Sequence, residues 1–170
     1  MASNTTAHHS GNSSLKFTKE EHGMKISPRN LNIVRGNDDR YWKVQKNNDS
    51  AAAELNQVSW LEVTGGVEGT TTTKSYEVGF IVSLNADAFG WGNYPIYIMI
   101  KGGNEDNITW TKVQINPDKK GQFEIKGKLM KSNDQIGASD NEKLSFGLYE
   151  VWSGKWKGGL KIHHAYVKEI

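Results

Sequence analysis

Short runs rich in Val, Ile, Tyr, Phe and Trp recur from Leu31 to the end of the chain, separated by clusters of Gly, Asn and Asp. Runs of this kind bury one face as β-strands, and the intervening Gly, Asn and Asp supply the backbone conformations that turns require. The runs are Leu31 to Val34, Val58 to Thr64, Ser75 to Asn85, Pro95 to Lys101, Ile108 to Ile115, Gly121 to Leu129, Lys143 to Trp152 and Gly158 to Glu169, preceded by Lys25-Ile26. No alternation of strand and helix patterns appears between them, which excludes a nucleotide-binding crossover fold. The pattern predicts an all-β fold, a jelly-roll-like β-sandwich. One short helix is expected over Ser50 to Gln57, where Ser50 is a suitable N-cap before three alanines.

A chain of 170 residues buries roughly 70% of its unfolded surface around one core, so a single domain is expected. Residues 1–24 are read as a flexible N-terminal tail, with almost no apolar side chains up to Lys16, and residues 25–170 as the folded domain. There is no cysteine, which removes a disulfide scaffold, a thiolate zinc site and a cysteine nucleophile together. Lys and Arg number 21 against 19 Asp and Glu, a formal charge of +2, too small for a surface dedicated to nucleic acid or membrane. No run approaches the ~20 apolar residues that span a bilayer. The N-terminus also lacks the apolar region of a signal peptide, so a cytoplasmic protein is expected. Four glycosylation sequons, at Asn4, Asn12, Asn48 and Asn107, are then expected to be unused.

Six Trp and six Tyr invite a sugar-binding reading, because an aromatic face stacks on the C–H face of a pyranose while its polar atom stays wet. Trp60 and Trp110 lie inside alternating runs and read as core or sheet-face packing. Trp42 reads as core or site. Phe89, Trp91 and Tyr94 form a glycine-interrupted loop, either a plug closing the sandwich or a ligand platform. Trp152 and Trp156 bracket Ser153-Gly154-Lys155 in the turn before the last strand. A Trp beside Lys155 and Lys157 joins a stacking face to ammonium donors, as a neutral N-acetyl sugar requires; the alternative is a solvated hairpin tip. No nucleophile and base stand at a recognisable spacing, so neither catalysis nor a cofactor is expected. His163 and His164, neighbours in a strand, are expected on opposite faces, where they do not chelate a metal together.

In order along the chain come Pro28-Arg29-Asn30-Leu31-Asn32-Ile33, Arg40-Tyr41-Trp42, Ala53-Glu54-Leu55, Val58-Ser59-Trp60-Leu61-Glu62-Val63, Ser75-Tyr76, Ala88-Phe89-Gly90-Trp91, Tyr94-Pro95, Glu150-Val151 and Lys155-Trp156-Lys157-Gly158-Gly159-Leu160. This ordered set resembles the phloem protein 2, or Nictaba-type, plant lectins over residues 25–170. The resemblance implies a cytosolic or phloem-sap lectin, typically a homodimer, that binds chito-oligosaccharides and the chitobiose core of N-glycans. The related sugar-binding domains of F-box proteins grip chitobiose with a Tyr-Trp-Lys turn, which falls on Lys155, Trp156 and Lys157, with Lys in place of Tyr. Trp152 stands in for the missing ring, and Thr71 takes the place of an acidic residue in the loop before the strand at Tyr76. The carbohydrate-binding set implied is therefore Trp156, Lys155, Lys157, Trp152 and Thr71. The competing reading is an RNA-binding or structural phloem protein, and within the lectin reading RNA is a candidate secondary ligand.

Overall fold

The computed structural model describes residues 7–12, 15–17, 23–103, 107–131 and 142–170. Among them are strands β1 (Gly23–Ile26), β2 (Asn32–Ile33), β3 (Trp42–Lys43), β4 (Ala53–Leu55), β5 (Leu61–Thr70), β6 (Tyr76–Phe89), β7 (Ile96–Lys101), β8 (Ile108–Val113), β9 (Phe123–Leu129), β10 (Glu142–Glu150) and β11 (Gly158–Glu169). They form two antiparallel sheets. One runs β3-β4-β11-β6-β9 with β1 also against β11, and the other runs β2-β5-β10-β7-β8. From β4 onward, β4-β11-β6-β9 faces β5-β10-β7-β8, which is jelly-roll order.

The inward positions are those the period-two pattern selects. Val78, Phe80 and Val82 on β6 and Ile162, Ala165 and Val167 on β11 share one buried cluster with Val63, Ile98, Ile100, Leu144, Phe146 and Leu148. Phe80 and Phe146, edge to face at 5.9 Å, join the sheets at the centre. Each Val, Ile, Leu or Phe among them contributes about 1.5–3 kcal/mol by leaving water.

Three expectations are corrected. The segment expected to be helical, Ser50 to Gln57, contains β4 instead: Ala53 and Leu55 are buried, and Glu54 faces Lys161 across 3.6 Å. Tertiary pairing overrides the high helix propensity of alanine, and Ser50 donates its amide to the Asn48 side chain at 2.9 Å in a turn. The helical turn of the described residues is a 3-10 turn at Pro28–Asn30. Second, the register of β11 slips between Ile162 and His164. Ile162 and Ala165 both point inward, three residues apart, so the bulge leaves both His163 and His164 between them on the outer side. His163 Nε2 lies 2.7 Å from Ser83 Oγ.

Third, the described part of the expected tail is docked. His9 exchanges backbone hydrogen bonds with Ile33 and its Nε2 meets the Arg29 carbonyl at 2.8 Å. Phe17 is buried edge-on against Tyr76 at 5.5 Å. Residues 23 and 24 already belong to β1. We expect Phe17→Ala to lower folding stability by about 3–5 kcal/mol, read as a shift of the urea midpoint; an unchanged midpoint contradicts this docking.

The registers also fix which loops share an end of the sandwich. Glu150 pairs with Leu61 at one end of β5, and Glu142 with Thr70 at the other. The turn after Glu150 and the loop after Thr70 therefore lie on the order of 30 Å apart, at ~3.3 Å per strand residue.

Candidate functional site

The turn from residue 151 to 157 is built on a buried ion pair. Glu150 ends β10 with its carboxylate accepting the amides of Trp152 and Ser153, each at 3.2 Å, and the Ser153 hydroxyl. Lys157 Nζ meets the same carboxylate at 3.0 Å and donates to the carbonyls of Ser59 at 3.2 Å and Lys155 at 2.8 Å. Burial pushes the Glu150 carboxyl up, but the hydrogen bonds from Ser153 and Lys157 outweigh it and hold the group below its ordinary value. A buried pair this fully bonded fixes geometry, and it offsets the cost of taking two charges out of water.

Lys157 is only 1% exposed, and its three N–H groups are committed to protein oxygens. The expectation that it donates to a ligand at the surface is thereby corrected: it shapes the turn. Lys155 is exposed, with its amide on Ser153 Oγ at 3.1 Å.

Trp156, 52% exposed, lies nearly parallel to Tyr41, with centroids 6.5 Å apart and planes at 19°. These rings, with Arg35, Val58, Ser59 and Trp60, line a shallow groove of about 120 Å³. Tyr41 is flanked by the guanidinium groups of Arg40 at 5.2 Å and Arg35 at 5.6 Å. Arg40 is held by Asp38 through two hydrogen bonds, at 3.0 and 2.7 Å, and these bring the Asp38 carboxyl down to about 2. Arg35 adopts φ 66°, a region rarely occupied by residues other than glycine, and its amide donates to His8 Nδ1 at 3.0 Å. Gly90, at φ 84°, passes so close beneath that a Cβ would stand 2.3 Å from the Trp156 carbonyl oxygen.

Trp152 does not join Trp156. It is exposed on the other flank of the turn, edge-on to Tyr97 at 5.0 Å and to Trp110 at 6.0 Å. Thr71 is farther still, at the opposite end of the sandwich. It is buried, its amide donates to the Tyr76 hydroxyl at 3.0 Å, and its Oγ1 lies 3.0 Å from Thr73 Oγ1. The expectation that Thr71 closes the side of the Trp156 site is contradicted by the whole length of β5 between them.

Of the remaining aromatic residues, Trp42 is core and Trp91 is a buried plug that donates to the Gly158 carbonyl at 2.9 Å. Trp60 and Trp110, each about half exposed, are not core. Trp60 joins the Trp156 groove, and Trp110 joins Trp152 on the outer face of the second sheet. Sequence reasoning missed Tyr41, Arg35, Ser59 and Trp60 as neighbours of Trp156, though Glu62, in phase with Trp60, marks that face as outward. Among the described residues, no group of three or more His, Asp or Glu is placed to hold a metal ion, and no helix is long and apolar enough to cross a membrane.

Comparison with known proteins places this geometry in a family. Protein PHLOEM PROTEIN 2-LIKE A9 of Arabidopsis thaliana is 34% identical over 187 aligned residues, covering 100% of both chains. A protein named Lectin from Luffa acutangula is 32% identical over 88 residues, covering 48% of this chain and 42% of that one. The crystal structure of Podospora anserina GH26-CBM35 beta-(1,4)-mannanase aligns with a TM-score of 0.50 over 87% of this chain and 28% of that one; at 7% identity this likeness concerns the fold alone. Residues 21–168 match the family described as Phloem protein 2, and with an alignment that spans nearly the whole sandwich the chain belongs to the phloem protein 2 family.

Proposed function

We propose that this protein is a lectin that binds oligomers of N-acetylglucosamine, the chitobiose core of N-glycans included, on the shelf of Trp156 and Tyr41. The observation that carries the reading is a half-exposed indole, parallel to a second ring, on a turn locked from below by Glu150 and Lys157. Such a shelf exists before ligand arrives, so little side-chain entropy is lost on binding. Trp156 stacks on the sugar ring, Lys155 donates to hydroxyl or acetamido oxygens, and Arg35 and Ser59 border the groove. The name Lectin on the Luffa acutangula relative supports the same class of ligand. No reaction is part of the proposal: the groove brings together stacking faces and donors, not a nucleophile and a base.

A shallow groove of this size holds little more than one ring, so each site binds weakly. Pairing two sites in a homodimer, which we include in the proposal, raises the apparent affinity for multivalent glycans without new contacts. The protein immobilised against a glycan array tests this: retention of chitotriose and chitobiose-core glycans above glucose, mannose and galactose oligomers is expected. Equal retention of all of them, or of none, contradicts the specificity.

A further inference from the structure

The outer face of the second sheet carries an aromatic groove that the Trp156 shelf leaves unexplained. Its volume is about 490 Å³, within the range of roughly 300–1,000 Å³ common to small-ligand sites. Trp110 on β8 and Tyr97 on β7 stand on the sheet. Trp152 stands across them, its ring at 75° to Trp110 and 76° to Tyr97, and Tyr94 with Pro95 closes one end. The three rings thus make a corner.

That corner is held from behind. Tyr149 on β10 packs against Trp110 at 5.4 Å and lies back over Gly147, where a Cβ would come within 2.4 Å of its ring. A bare glycine in the middle of a sheet is thereby filled by an aromatic ring that in turn supports Trp110. Trp152 is positioned through its amide by the buried Glu150 carboxylate. Even so, Trp110 stays 48% exposed and Trp152 59% exposed.

Charge selects the ligand. The one ionised group in the lining, Glu150, is already matched by Lys157 and by the Trp152 and Ser153 amides. The other polar side-chain groups of the lining are the hydroxyls of Tyr94, Tyr97 and Ser153 and the indole N–H groups of Trp110 and Trp152. No cation belongs to the lining itself, Lys112 standing outside it opposite Tyr97 in the β7–β8 pair, whereas a pyranose presents C–H faces to the indoles and hydroxyls to the rim.

We propose that this groove is a second carbohydrate-binding site, taking neutral pyranose rings separately from the Trp156 shelf. The inference rests on the lectin reading of the protein. At most four residue steps separate Trp152 from Trp156, ~14 Å of extended chain. The two sites therefore flank one turn, and a long or branched glycan reaches both, each arm raising the effective concentration of the other.

NMR of the indole N–H resonances in the full chain tests this, with chitotriose, cellotriose, xylotriose and mannotriose titrated separately at millimolar concentration. The Trp110 and Trp152 signals are expected to shift saturably with at least one of these sugars and to keep shifting in Trp156→Ala. Trp110→Ala, made in that background, is expected to weaken the response by about tenfold or more, the equivalent of 1.4 kcal/mol. If Trp156 responds while Trp110 and Trp152 remain still for every sugar, the second site is wrong and the first stands. If Trp110 and Trp152 lose their response in Trp156→Ala, one site exists and not two. If no indole responds to any sugar, both readings fall. If the protein sediments as a dimer that Trp110→Ala dissociates, with those indoles blind to sugar, the groove is a subunit contact and the inference is overturned.

Discussion

Lys157→Met is expected to lower folding stability by about 3–5 kcal/mol, because it strands the Glu150 carboxylate in a site with almost no access to water. The loss is a property of the pair and not of the lysine stem, since Met retains much of the volume. Lys157→Met combined with Glu150→Gln is therefore expected to recover part of it, giving a positive coupling in a double-mutant cycle measured by urea denaturation. A ligand-donating lysine at the surface predicts the reverse: unchanged stability, with lost affinity alone.

The same pair sets an acid dependence. Glu150 is held below its ordinary value in the folded chain, against about 4.3 in the unfolded chain. A carboxyl depressed by folding contributes stability that is present above the unfolded value and is lost as pH falls through the folded one. Wild type is expected to lose stability below about pH 4 more steeply than Glu150→Gln. Superimposable pH profiles for the two proteins contradict the assignment.

Trp156→Ala is expected to remove measurable chito-oligosaccharide binding while the chain stays folded. The indole is half in water and its ring neighbour is Tyr41, so its deletion leaves no cavity in the core. The nearest analogue of sugar stacking, base stacking on an aromatic side chain, is worth ~1–3 kcal/mol per contact. A millimolar to micromolar site has only about 4–8 kcal/mol in all. Loss of one such contact weakens binding by roughly 5- to 150-fold, enough to carry a weak site out of a calorimeter's range. Lys155→Ala, removing one solvated donor, is expected to cost about 0.5–1.5 kcal/mol of affinity. Unfolding of Trp156→Ala makes the residue structural; normal binding by the folded variant moves the site away from this flank.

The fold was legible because alternation and turn chemistry agree along most of the chain. The run Ser75 to Asn85 covers β6 from its first residue, Tyr76, to four residues short of its end, and Gly158 to Glu169 is β11 from end to end. What failed was decided by partners distant in sequence. Ala53 looks helical by propensity and becomes a strand because Trp42–Lys43 and β11 border it. One extra residue in β11 turns His163 to the same side as His164, and alternation has no mark for such a bulge.

The geometry of the candidate site was half legible for the same reason. Trp156 and Lys155 follow from their place in a glycine-flanked turn, but Lys157 differs from Lys155 only through Glu150, seven residues earlier, and Ser59, on another strand connection. Trp60 and Trp110 were read as core or sheet-face residues, and both lie outward, Trp110 on the sheet face against Tyr149. Each shares its period-two phase with a charged residue, Glu62 and Lys112, while the opposite phase holds Leu61 and Val63 in one case and Val113 in the other. The charged partner gives the outward face more reliably than the size of the indole suggests the inward one. Thr71 was placed by the resemblance to the F-box sugar-binding domains, and only the β5–β10 register reveals that it belongs to the far end.

In the function proposed above, the Trp156 flank of this sandwich binds a neutral chitin oligomer and not a polyanion. Calorimetric titration of the full chain with chitotriose at low and high salt, beside single-stranded RNA under the same conditions, tests it most directly. Saturable chitotriose binding that salt leaves unchanged is expected, because no phosphate counterions are released. RNA binding that weakens steeply with salt, alongside no heat from chitotriose, would contradict it.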